Sequence, residues 1–256
     1  MKIGLFGFGK TGRSVATVIL NNKDHSLEWV VRKRKILDHR SAPEFLGLES
    51  SEPGLIYCKD DFKEIMSNKS LLVDAIIDFS STDSVYEYGE FAKDHKIKII
   101  TAISKYNDNE ISYLKELSQH TTVLWSPNIT IGINFLIIAA KVLQSIAPYA
   151  DIEIIEEHFK NKPEISGTAK IIAKHLQKDE NEIKNIRAGG IIGKHEILFG
   201  FPYQTIRLTH ESISREAFGN GALFALQNIK DSPAGFYSME NIMKSYFHDY
   251  SSYGSL

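Results

Sequence analysis

A single cysteine, Cys58, stands in a chain of 256 residues. One thiol can form neither an internal disulfide framework nor a cysteine-based zinc site. Excess charge is also missing: 30 Lys and Arg face 32 Asp and Glu, a formal net charge of −2. That balance argues against a general nucleic-acid coat, which needs a strongly basic face. No apolar run approaches the roughly 20 residues that span a bilayer. The opening MKIGLFGFGK is too short and too Gly-rich for a signal peptide. The spacings HxxxH and HExxH do not occur among the nine histidines, so no metal site is expected. Repeats and low-complexity tracts are absent too. With 43% apolar residues, what remains is an ordinary soluble protein, cytoplasmic by default. It is long enough for one large core or two linked ones.

The first half alternates short apolar runs with amphipathic stretches. Residues 2–6 read as a buried strand and 10–22 as a helix, followed by a strand at 27–31. Apolar runs at 73–79, 97–101 and 122–125 predict further strands, separated by helical patterns at 82–94 and 107–119. Such alternation predicts an α/β fold, a parallel sheet with helices on both faces. After Ser126-Pro127-Asn128 the pattern changes. A long apolar helix at 131–147 precedes a strand at 151–157 and a helix starting near Ser166. Strand-like stretches at 191–200 and 203–210 follow without a helix between them. The expectation is a Rossmann domain over 1–127 and a second α+β domain with an open mixed sheet over 128–234. The segment 235–256 is expected to return to the first domain.

Gly7-Phe8-Gly9-Lys10-Thr11-Gly12 follows a predicted strand and opens a predicted helix, the context that a dinucleotide fingerprint requires. The first glycine permits the tight turn, the second lets backbone approach a pyrophosphate, and the third allows helix to pack on strand. The helix start faces the phosphates with its partial positive charge. No GK[ST] ends the motif, so it is not a P-loop. About 20 residues on, an NAD site usually carries an acid for the ribose 2′-hydroxyl. Here the second strand ends in Arg32-Lys33-Arg34-Lys35. A guanidinium can pair with a 2′-phosphate where a carboxylate would repel it. NADPH is therefore favoured over NADH, with Arg32 and Lys33 as contacts. A solvated basic loop is the plainer alternative.

The densest chemistry is EIIEEHFKNK at 153–162, followed by Pro163-Glu164-Ile165-Ser166-Gly167-Thr168. A strand delivers His158 and Lys162 into a loop. Ser166-Gly167-Thr168 then opens a helix whose free N–H groups and two hydroxyls suit a carboxylate. Lys162 adds positive charge, and His158 can transfer a proton near neutral pH. The plain alternative is a capping serine and two surface residues.

With this stretch the sequence resembles the dihydrodipicolinate reductase family. The similarity runs through the Gly-rich start, Asp78-Phe79-Ser80, Ser126-Pro127-Asn128-Ile129, residues 153–169 and Arg187-Ala188-Gly189-Gly190-Ile191-Ile192-Gly193. It continues through Leu208-Thr209-His210, Ser214-Arg215 and Phe218-Gly219-Asn220-Gly221-Ala222. The resemblance implies an NADH- or NADPH-dependent oxidoreductase of lysine and diaminopimelate biosynthesis. Its substrate would be a cyclic imine dicarboxylate, 4-hydroxy-tetrahydrodipicolinate, and its assembly a homotetramer built by the second domain. By that resemblance His158 matches a proton donor and Lys162 a catalytic, substrate-binding lysine. Ser166, Gly167 and Thr168 match a carboxylate-binding loop. Phe79 and Ser80 match a segment beside the nicotinamide, Thr101 a stretch with backbone contacts near it, and Ser126 and Asn128 a cofactor-facing strand end.

This chain departs from the family at Phe159, where a substrate-binding histidine is common, and at Thr101-Ala102-Ile103-Ser104, which replaces Gly-Thr-Thr-Gly. The loop between Lys162 and Ser166 and the Gly-rich turn are each one residue shorter. Alternatives to the implied reaction are a reductase of another cyclic imine or an aldehyde, and a non-catalytic NADP-binding sensor. His195 and His210 are expected in the second domain's sheet, and the aromatic end from Tyr246 to Tyr253 as packing or a tail.

Overall fold

The computed structural model describes residues 1–34, 40–62, 67 and 71–252, with side chains to residue 247. Lys35 and Tyr253 lie outside the described residues. Two units group by internal contacts. The first is Met1–Ile129 with Phe218–Ile242, and the second is Thr130–Ala217 with the chain from Met243.

The first unit is built on a seven-stranded sheet of order β11-β6-β5-β4-β1-β2-β3. Its strands are β1 (Lys2–Phe6), β2 (Ser26–Arg32), β3 (Leu55–Cys58), β4 (Ala75–Asp78), β5 (Lys98–Thr101), β6 (Thr122–Trp125) and β11 (Gly235–Tyr237). All their pairings are parallel. The central strands β1 and β4 are buried along almost their whole length, as expected of strands covered on both faces. Between strands run α1 (Lys10–Leu20), α2 (Ala42–Leu46), α3 (Ser84–Asp94) and α4 (Asp108–Leu117). An aromatic core, with Phe6, Trp29, Phe62, Tyr88 and Phe91 in edge-on or tilted contacts, fills one side. Sequence reading missed α2 and β3, which lie in the polar stretch after β2.

The second unit carries a mixed four-stranded sheet of order β10-β9-β7-β8. Its strands are β7 (Asp151–His158), β8 (Lys184–Arg187), β9 (Lys194–Phe201) and β10 (Gln204–Glu211). β7 alternates exposed and buried positions, so Ile152, Ile154, Glu156 and His158 share its buried face. The apolar helix α5 (Ile131–Ile146) and the shorter α6 (Gly167–His175) pack there through Ile133, Leu136, Ile137, Ala169 and Ile172.

The chain returns to the first unit at Phe218, earlier than the 235 expected. The return begins inside α7 (Glu216–Ile229), because Gly219 lets that helix sit against α1: a Cβ there would come 2.7 Å from Val18 Cβ. The end of the chain also departs from expectation. α8 (Met239–Ser252) passes into the second unit at Met243, where Phe247 stacks on Phe135 with ring centroids 5.8 Å apart. The first crossing falls between Ile129 and Thr130 rather than at 127. Among the described residues no helix is long and apolar enough to cross a membrane.

Candidate active site

The glycine turn in the first unit is shaped by its close neighbours. Gly7 has φ +97°, and a Cβ on it would fall 2.8 Å from the Phe79 backbone. A Cβ on Gly12 would come 1.9 Å from the Gly7 carbonyl oxygen, so this glycine lets α1 pack on the turn. Gly9 differs, since a Cβ there would meet no atom of the described residues within 4 Å. Nothing among the described residues demands a glycine at that point, whereas a ligand approaching the backbone would. Gly9 caps α1 without any side-chain hydrogen bond, leaving the first-turn N–H groups of the helix for a phosphate.

Two cavities open beside this turn. One, of about 420 Å³, is lined by Gly7, Gly9, Arg13, Arg32, Lys33, Arg34, Phe79 and Ser80 among others. The Nε atoms of Arg13 and Arg32 are buried without a hydrogen-bond partner among the described residues. The Arg13 guanidinium lies 4.5 Å from the centroid of the Phe45 ring. Stranded guanidinium donors beside an open helix start can receive an anionic group. The other cavity, of about 540 Å³, shares Phe79, Ser80 and Ser81 and adds Thr11, Ala102, Ile103, Ser104, Lys105, Pro127, Ile129 and Phe218. Its mix of apolar walls and a few hydroxyls suits a flat ring with polar substituents.

Several residues expected at the cofactor do not line these cavities. Thr101 is fully buried and its hydroxyl bonds to Tyr106 at 2.9 Å, because its strand position turns it into the core. Ser126 is turned inward and donates to the Asn128 carbonyl at 2.7 Å. Lys10 is exposed, and neither it nor Asn128 lines either cavity, although Pro127 and Ile129 do. The altered 101–104 stretch nonetheless contributes Ala102 to Ser104. Sequence reading missed Arg13 and Lys105; the position of Arg13 one residue past the glycine motif was the available signal for the first.

Asp78, at the end of β4, lies fully buried behind Ser80. It accepts the Ser80 N–H at 2.8 Å and the Tyr88 hydroxyl at 2.9 Å, and it also accepts the Ser80 hydroxyl. Burial pushes its carboxyl up to about 6 against these hydrogen bonds.

In the second unit the sequence cluster assembles around Glu156. This carboxylate is fully buried; Oε2 bonds to His158 Nδ1, and Oε1 takes Arg187 Nη2 at 2.6 Å. Burial works to raise its pKa, but the bonds from Arg187 and His158 outweigh it and hold the carboxyl below the usual range. Nδ1 of His158 therefore donates, and Nε2 is the atom free to exchange a proton. That nitrogen makes no hydrogen bond among the described residues and is not sealed off from solvent. Gly193 keeps it uncrowded, since a Cβ there would come to 2.9 Å. Burial lowers the His158 pKa, Glu156 opposes that, and Lys162 and Arg187 add to it.

Arg187 also fastens the loop, donating to the carbonyls of Lys162 at 3.2 Å and Glu164 at 3.0 Å. Lys162 is half-buried, with its ammonium 5.9 Å from the centroid of the Phe159 ring. Ser166 caps α6 by accepting the Ala169 N–H, while Gly167 and Thr168 form the first turn. His195 lies in β9, in the sheet where it was expected, yet it also joins the site: its Nε2 is 2.8 Å from Ser166 Oγ. Glu156 is given no role by the sequence, and Arg187 and Gly193 enter there only as part of the resemblance, without a role. The period of two in β7 was the signal for Glu156; Arg187 and Gly193 come from other strands and loops, and only pairing brings them in.

Residues 1–129 match the family model described as dihydrodipicolinate reductase, N-terminus, and 128–243 match its C-terminal counterpart. The 4-hydroxy-tetrahydrodipicolinate reductase of Thermosipho africanus is 29% identical across 96% of this chain and 100% of its own. That of Clostridium perfringens strain SM101 is 31% identical across 68% of this chain and 78% of its own. A dipicolinate-bound dihydrodipicolinate reductase from Paenisporosarcina superposes with a TM-score of 0.76, at 22% identity, over 94% of this chain and 99% of that one.

Proposed function

Because the chain belongs to the dihydrodipicolinate reductase family, oxidoreductases of lysine and diaminopimelate biosynthesis that use a pyridine nucleotide, we propose that it reduces 4-hydroxy-tetrahydrodipicolinate with NADPH. The observation that carries the reading is the Glu156–His158 pair beside the start of α6. Such a pair offers an oriented proton donor next to an anion site, which a reductase of an anionic imine requires.

The cofactor, when bound, supplies hydride to the substrate. For its nucleotide, the first turn of α1 and Gly9 would hold the pyrophosphate, and Arg13, Arg32 and Lys33 the 2′-phosphate. The stranded Nε atoms of Arg13 and Arg32 support NADPH over NADH. Phe79, Ser80, Thr11 and Ala102 would receive the nicotinamide and its ribose. In the second unit, Ser166, Gly167 and Thr168 would bind one substrate carboxylate. Lys162 supplies positive charge that favours negative charge building on the ring. His158, with Nδ1 held by Glu156, gives its Nε2 proton to complete the reduction. A homotetramer would also cover apolar side chains left exposed on the second unit, Ile146 and Ile213 among them.

The test is NADPH oxidation on addition of the enzymatically generated dihydrodipicolinate precursor. Turnover that falls at least a hundredfold in His158→Ala, with NADPH affinity kept, is the expected result. Tight NADPH binding without turnover in the wild type would overturn the reading.

A further inference from the structure

Within the second unit, His195 sits opposite Glu156 in the β7 register and opposite His210 in the β10 register. Its Nε2 approaches Ser166 Oγ at 2.8 Å, and the same oxygen accepts the Ala169 N–H at 3.0 Å. The residue is 4% exposed, and its Nδ1 is sealed from solvent with no hydrogen-bond partner among the described residues. Burial, reinforced by His158 and His210, holds its pKa at about 3, so the imidazole is neutral.

A neutral imidazole has one N–H and one bare lone pair. With the proton on Nδ1, a buried N–H would be left without an acceptor, the rarer kind of defect in folded proteins. With the proton on Nε2, the defect is an unused lone pair. Ser166 Oγ then accepts two hydrogen bonds, from His195 and from Ala169. The serine's own proton has no acceptor in its cap and is left for a ligand. The opposite arrangement would turn the hydroxyl proton towards His195 and present a lone pair to any incoming anion.

We propose that His195 is a positioning residue, which by donating from Nε2 to Ser166 Oγ makes the Ser166 hydroxyl a donor to a substrate carboxylate at the start of α6. This rests on the reading of Ser166, Gly167 and Thr168 as a carboxylate site. A carboxylate only accepts hydrogen bonds, so the orientation of one serine proton decides between attraction and repulsion. Two bonds received by the hydroxyl also polarise it, strengthening the one it gives.

Pyridine-2,6-dicarboxylate, titrated by calorimetry onto the NADPH-loaded full chain, is the probe. Ser166→Ala should weaken it roughly tenfold, the loss expected for one hydrogen bond to a charged group. His195→Leu should weaken it by a similar factor, and His195→Gln, which keeps an N–H at that reach, should recover most of the loss. On a Ser166→Ala background, His195→Leu should cost nothing more. Nitrogen-15 NMR of the wild type should find the His195 proton on Nε2, a result that needs no variant to fold. A proton on Nδ1 overturns the proposal, as does full affinity in His195→Leu where Ser166→Ala is weakened. Wild-type affinity in Ser166→Ala overturns the carboxylate reading itself, and the proposal with it.

Discussion

Glu156 holds Nδ1 of His158 from two positions back on the same strand. Side chains two apart on a strand share a face, so β7 alone brings carboxylate and imidazole together. Arg187, reaching over from β8, keeps the carboxylate charged.

This arrangement predicts a pH–rate profile. A proton-donating His158 must be charged before transfer, and burial lowers its pKa from the ordinary imidazole value. kcat/KM should therefore fall as pH rises through a value below that of a free histidine. Glu156→Gln still accepts the Nδ1 proton but removes the charge that favours the imidazolium. The limb should move to lower pH, and the rate at pH 7 should drop about tenfold for each pH unit of that displacement. A limb that stays put would mean His158 is not the titrating donor.

Arg187 should matter for stability as well as for the loop. Arg187→Met leaves Glu156 buried with only His158 and the Ser166 N–H, at 3.4 Å, as partners and releases the Lys162 and Glu164 carbonyls. Breaking a buried pair on one side costs about 3 kcal/mol. Urea unfolding should show a loss of that order, and the double variant Arg187→Met/Glu156→Gln should recover a large part of it.

The cofactor preference is open to a direct measurement. Arg32→Glu places a carboxylate in the cavity that holds Arg13 and Lys33. NADPH affinity should fall by roughly ten- to a hundredfold, the size of a lost charge-assisted pair, while NADH binding holds or improves. An unchanged ratio of the two affinities would show that this cavity does not read the 2′-phosphate.

Asp78 and His195 should pull stability in opposite directions as pH changes. A free aspartate titrates near 3.8 and buried Asp78 at about 6, so between these values the folded state holds the extra proton and stability falls as pH rises. His195 titrates at about 3 rather than 6.5, so across that window the unfolded chain holds the extra proton and stability rises with pH. Each slope is about 1.4 kcal/mol per pH unit, and between pH ~4 and ~6 they oppose one another. Relative to the wild type, Asp78→Asn should tilt the stability curve upward with pH in this range, and His195→Gln should tilt it downward. Chemical unfolding at several pH values reads both slopes.

The parts legible in sequence were those fixed by local pattern. Buried parallel strands, the glycine turn and the period-two run at 151–158 announce themselves in a few consecutive residues. β8 escaped notice because Lys184–Arg187 is mostly exposed and shows no alternation; it is a strand only by virtue of its pairing with β7. Thr101 and Ser126 are placed at the cofactor by the family resemblance alone. Which way a strand-end side chain turns depends on the packing partner, Tyr106 in the case of Thr101. The roles of Arg187 and His195 likewise arise from contacts across 31 and 29 residues of sequence, which no local pattern records.

The hydrogen bonds between β11 and β6 join residues more than a hundred positions apart, with Thr122 Oγ1 also reaching the Ser232 carbonyl. A fragment stopped near residue 129 would therefore expose β6 as a raw sheet edge, ready to pair with another molecule. On the ribosome, the nucleotide-binding sheet must wait for residues 130–217 of the second unit to be synthesised before its last strand can be laid down. Assembly of this half is thus slow by topology, and the glycine turn is made first in a sheet that closes last.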